Sequence, residues 1–185
     1  MKKLLITLLA VGVSVAMLTA CSKDEEKDKG NNDIQNEENQ KDADQESKFE
    51  EKDGLLEYSG TENNPFDQTG FKIIVKKGDG GYAKFIKTDS EGRETVDYYT
   101  FDYSNNAVEK YYYVSAMGTA FYYYFDLEKN ELVKVENGDH EDSTQGMKDS
   151  GRWDKAASGM VDEVKSIEDY FVKQFGKSIK DFVLE

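Results

Sequence analysis

Cys21 is the only cysteine in this chain and His140 the only histidine. A single cysteine makes no intramolecular disulfide and no thiolate cage for a metal. A single histidine, set in the polar run Asn137-Gly-Asp-His-Glu-Asp142, builds no His-rich metal site. With no Gly-x-Ser-x-Gly elbow in the chain, it builds no nucleophilic triad either. No glycine-rich phosphate loop leads into a helix. Carboxylates number 38, so pairs such as Asp97 with Asp102, or Asp126 with Glu128, arise whether or not they serve as general acid and base. The cluster Asp139–Asp142 and the run Asp89-Ser-Glu91-Gly92 lack the spacing of an EF-hand loop. The sequence therefore nominates no catalytic residue, no metal ligand and no cofactor.

What it offers instead is tyrosine: twelve in all, nine of them between residues 98 and 124. A phenol ring is apolar with a wet tip, so an exposed row of them can stack on sugar rings or anchor a peptide. Strand alternation predicts which ones share a face. In Phe121–Leu127, Tyr122 and Tyr124 oppose Phe121, Tyr123, Phe125 and Leu127. In 94–103, Tyr98 opposes Tyr99, Phe101 and Tyr103. The predicted ligand face is Tyr98, Tyr112, Tyr122 and Tyr124. The alternative is that the segment 139–157, with Trp153, or the first strand covers this face, or that the rings only brace the sheet through cross-strand pairs.

The elements that must position these rings read clearly. Aromatic and β-branched runs at Leu55–Ser59, Phe71–Lys77, Tyr82–Thr88, Glu94–Tyr103, Val108–Ala116, Phe121–Glu128 and Leu132–Asn137 alternate with short Gly, Asn and Asp turns. Connections this short force antiparallel neighbours. An echo at an offset of 24 residues aligns Tyr99-Thr-Phe-Asp-Tyr103 with Tyr123-Tyr-Phe-Asp-Leu127, and Asn106 with Asn130. It predicts a repeated hairpin. Met160, Val161, Val164, Ile167, Phe171 and Phe175 then recur at helical spacing, with Ser158 as the expected N-cap and Gly176 as the stop. The expectation is an α+β fold: an antiparallel meander of about six strands with a C-terminal amphipathic helix packed on one face.

Ahead of this domain, residues 22–53 hold thirteen acidic residues and six lysines but only Ile34, Ala43 and Phe49 as apolar side chains. Such a stretch buries too little to offset its ordering entropy, which predicts a disordered acidic linker over 21–53 and a globular domain over 54–185. At the very start, Lys2 and Lys3 precede an apolar run from Leu4 to Ala20, the pattern of an export signal. Seventeen residues rise only about 26 Å, short of a hydrocarbon core of roughly 30 Å.

The junction Leu18-Thr19-Ala20-Cys21 resembles the lipobox of bacterial lipoproteins. That resemblance implies a signal peptide over 1–20, diacylglyceryl transfer to the Cys21 sulfur, and cleavage between Ala20 and Cys21. The Cys21 thiolate is the nucleophile this needs, and two or more acyl chains, at about 0.8 kcal/mol per buried methylene, give a durable anchor. Losing Lys2 and Lys3 takes the formal charge from −14 to −16, which disfavours nucleic acid and anionic lipid surfaces as partners. Twenty-two lysines against two arginines, with a single proline, suit an AT-rich, Gram-positive genome.

Together these features predict a lipoprotein on the extracytoplasmic face of the cell membrane, acting as a non-enzymatic module for a wall glycan, peptide or protein ligand. A small envelope hydrolase using a carboxylate pair, an immunity or inhibitor-type lipoprotein, and a structural lipoprotein are the alternatives.

Overall fold

The computed structural model describes residues 48–61, 64–66 and 70–185. The expected signal peptide, the Ala20–Cys21 cleavage and lipidation site, and the linker up to residue 47 lie outside the described residues. Within them, eight strands form one antiparallel sheet in strict chain order: β1 (Glu50–Lys52), β2 (Leu55–Gly60), β3 (Phe71–Lys76), β4 (Tyr82–Thr88), β5 (Glu94–Asp102), β6 (Ala107–Val114), β7 (Thr119–Asp126) and β8 (Glu131–Asn137). Three helices follow: α1 (Thr144–Asp149), α2 (Trp153–Phe175) and α3 (Ile179–Leu184). The α+β meander is as expected, but it has eight strands, not about six.

The additional strand corrects the linker boundary. Asp53 and Gly54 both take left-handed φ, 53° and 77°, the two-residue turn that suits the twist of a hairpin. They fold Glu50–Lys52 back onto Leu55–Glu57. All three side chains of β1 are exposed, so no apolar pattern announces the strand. Phe49, just ahead of it, is buried with its ring 4.9 Å from Phe175 and 5.0 Å from Phe182. The Phe49 ring, the β1–β2 ladder and the Lys48 contact with the Gln174 carbonyl together bring the end of the acidic segment into the domain.

The repeated hairpin is built twice with the same parts. Asp102 Oδ1 accepts from the Ser104 and Asn105 amides, and Asp126 Oδ1 accepts from those of Glu128 and Lys129. Asn106 and Asn130 close the two turns at φ 50° and 54°, where asparagine is tolerated. These turns join β5 to β6 and β7 to β8 and start the pairing of each hairpin.

One face of the sheet carries the core. Phe71, Ile73, Val75, Phe85, Phe101 and Val108 meet the α2 stripe Met160, Val164, Ile167, Tyr170, Phe171 and Phe175, with Ile179, Phe182 and Val183 of α3 closing one end. Helix α2 starts at Trp153 instead of after Ser158, because Gly151 at φ 69° makes the break from α1. Gly176, at φ 76°, ends it as expected. Met147 of α1 and Trp153 also belong to this side, so the segment 139–157 packs mainly with the helices.

Candidate functional site: an aromatic row on the open sheet face

The sheet's other face receives none of the described helices, whose buried residues join the single core on the opposite side. The register puts Tyr98, Tyr111 and Tyr122 side by side on β5, β6 and β7, with Tyr124 one step along β7 and Tyr113 one step along β6. Three of the four predicted tyrosines, Tyr98, Tyr122 and Tyr124, are thus brought together. Tyr112 is not: it pairs with Phe121 on the helix side. A run of three tyrosines has no polar alternation to reveal its parity, and the turn at Asn106 decides it by pairing Tyr98 with Tyr111. The turn over residues 102–106 was the available signal, since the length of a hairpin turn sets which residues of its strands face each other.

The rings form a continuous row. Tyr98 and Tyr111 stack at 5.4 Å with 12° between their planes. Tyr111 meets Tyr122 edge-on at 5.0 Å, and Tyr122 stacks on the His140 imidazole at 4.3 Å. The sequence around His140 is wholly polar, yet folding supplies it with an aromatic neighbour from β7. A left-handed backbone at His140, φ 62°, turns the chain back over the sheet. At the other end the Lys84 ammonium lies 3.7 Å from the Tyr98 ring centre, a favourable cation–π contact.

Carboxylates hold the phenols in place. Tyr98 donates its hydroxyl proton to Glu109 at 3.2 Å, and Tyr124 donates to Glu136 at 2.8 Å. Burial, and then these carboxylates, push both phenols above their ordinary range. Glu136 also accepts from Lys134 and contacts His140 Nδ1 at 3.2 Å. Its carboxyl is held down at about 2, by the Lys134 ammonium first and the Tyr124 hydroxyl second.

The carboxylates whose spacing could pair them for acid–base work have other tasks. Asp102 and Asp126 are occupied with their own turns, and Asp97 accepts from the Tyr113 amide at 3.0 Å. Among the described residues, no group of three or more His, Cys, Asp or Glu side chains converges as a metal site, and no helix is long and apolar enough to cross a membrane.

The ring faces of Tyr98, Tyr111 and Tyr122 are engaged with one another, with Lys84 and with His140. The row's outward groups are ring edges, phenol oxygens and flanking Lys and Glu side chains. Tyr113, 40% exposed, is the most accessible of the five tyrosines. Comparison of the chain with protein-family models, curated proteins and solved structures finds no match.

Proposed function

We propose that this protein is a surface-tethered, non-enzymatic binding module. Acyl chains on Cys21 hold it at the extracytoplasmic face of a cell membrane, and the face built from Tyr98, Tyr111, Tyr113, Tyr122 and Tyr124 contacts a peptide or protein partner. The observation that carries this reading is an eight-stranded sheet whose described helices all pack on one side, with a row of tyrosines left on the other. Tyrosine is favoured in interface cores because its ring and hydroxyl serve apolar and polar contacts at once.

The ring geometry favours a polypeptide over a wall glycan. Sugars stack on ring faces, and the three central rings, Tyr98, Tyr111 and Tyr122, give theirs to one another, Lys84 and His140. Edges, hydroxyls and alternating Lys and Glu side chains suit a partner that brings hydrogen bonds and small apolar groups. A flexible coil of the twenty-six residues between Cys21 and Lys48 would reach on the order of 30 Å, which gives a partner room above the bilayer.

Two measurements test the reading. Cys21→Ser should move the protein from the membrane fraction to the soluble one; retention on the membrane would sink the anchor. For the face, the lipid-free chain from residue 22 is immobilised and offered separated protein and glycan fractions of a cell envelope. Tyr113→Ala should reduce capture from the protein fraction about tenfold, as loss of a single central contact does. Tyr112→Ala, on the opposite face, should leave capture intact. Capture from the glycan fraction alone, or equal losses for both variants, would overturn the proposal.

A further inference from the structure

The helix side holds a second opening, separate from the tyrosine row. Between the N-terminal half of α2 and strands β6 and β7 lies a cleft of about 520 Å³, within the roughly 300–1,000 Å³ typical of small-molecule sites. It exists because α2 stands off the sheet there. No residue from Trp153 to Gly159 is fully buried, and burial begins at Met160. The apolar lining is Tyr112, Tyr123, Ala156, Gly159 and Met160. A Cβ built on Gly159 meets nothing within 4 Å, so this glycine weakens a helix interior where alanine would fit and leaves the space empty.

The charges around the cleft point to what enters it. The Lys110 ammonium pairs with Glu163 at 2.5 Å and lies 5.7 Å and 5.4 Å from the ring centres of Tyr112 and Tyr123. Arg152 and Lys155 also line the opening. Arg152 is engaged by Ser150 Oγ at 2.8 Å, and among the described residues neither cation has a carboxylate in ion-pair range. In a chain with 38 acidic against 24 basic residues, two exposed cations without acidic partners beside an aromatic-lined cleft are complementary to an anion arriving from solvent.

We infer that this cleft binds a small amphipathic anion. Its flat apolar body lies against Tyr112, Tyr123 and Met160, and its carboxylate or other oxyanion is held by Arg152 and Lys155. Tyr112, misplaced by the sequence reading, finds its use here.

The test uses 2-naphthoate and its neutral analogue 2-naphthamide, titrated calorimetrically into the lipid-free chain from residue 22. The naphthoate should bind saturably with a Kd below about 1 mM. Arg152→Gln with Lys155→Gln should weaken naphthoate at least about fivefold and leave the amide unchanged. Gly159→Leu, which grows into the empty space, should abolish binding of both without lowering Tm. Tyr112→Ala should weaken both and supplies an independent readout if the leucine variant folds poorly. Tyr122→Ala, on the far face, should change neither. Absence of saturable naphthoate binding, equal weakening of both probes by the charge variant, or binding that survives both Gly159→Leu and Tyr112→Ala would overturn the inference.

Discussion

Replacing Tyr111 by alanine separates a row that braces the sheet from a row that merely decorates it. Tyr111 is the central ring, stacked on Tyr98 at 5.4 Å and edge-on to Tyr122 at 5.0 Å. Aromatic pairs contribute about 0.5–1.5 kcal/mol each beyond the area they bury, so losing two costs about 2 kcal/mol. In a domain this size each kcal/mol moves Tm by about 3 °C, giving a fall of about 6 °C. Urea unfolding and calorimetry of Tyr111→Ala, Tyr98→Ala and the double variant measure both the total and the coupling. The cycle should return about 1 kcal/mol of coupling between the two rings. Tyr113→Ala, which removes the most accessible ring of the same face and one with no ring partner in the row, should stay within about 0.5 kcal/mol of the parent. A Tyr111→Ala cost below about 0.5 kcal/mol, or additive single costs, would refute the brace. The ring faces would then be free for other ligands, and the preference for a polypeptide partner would lose its basis.

Three further outcomes follow from the core and the charges. Phe49→Ala should cost about 3 kcal/mol by denaturant melts, at the lower end for buried phenylalanine because the site is at the domain's edge. A negligible cost would return residue 49 to the linker. Tyr170→Phe should leave stability unchanged or raise it, since the buried hydroxyl has no hydrogen-bond partner among the described residues; a loss above about 1 kcal/mol would reveal a hydrogen bond to the nearby Tyr58 phenol. The folded Glu136 carboxyl is held at about 2 against an ordinary 4.5, so its contribution is complete above pH 4.5 and disappears as pH falls toward 2. The gap in urea midpoint between the parent and Glu136→Gln should therefore narrow across that window, and a gap independent of pH would rule out the linkage.

Much of the fold was legible because the pattern is local. The seven sequence-read strand segments all correspond to strands of the sheet, since alternation and short turns are written in consecutive residues. Gly176 marked the end of α2 for the same reason, and the 24-residue echo located two turns whose Asp and Asn residues perform the same tasks. Strand β1 escaped because its side chains are all exposed. The Asp53-Gly54 dipeptide was its signal, hidden by the acidic composition around it. The start of α2 was misplaced because the break is a left-handed glycine at residue 151, while Ser158 only looks like a cap.

By itself the sequence determined what chemistry the chain can attempt: one cysteine, one histidine, abundant carboxylates and a concentration of tyrosines on alternating strands. Residue type is fixed before folding, and no arrangement can add a second thiol. Tertiary structure alone decided which tyrosines stand together. Parity in a run of identical side chains depends on hairpin register, and register is set by a turn several residues away. It also gave His140 its aromatic neighbour and turned Asp102 and Asp126 inward to their own loops. It opened a cleft beneath α2, where the helix leaves the sheet, because those contacts join residues that the chain keeps far apart.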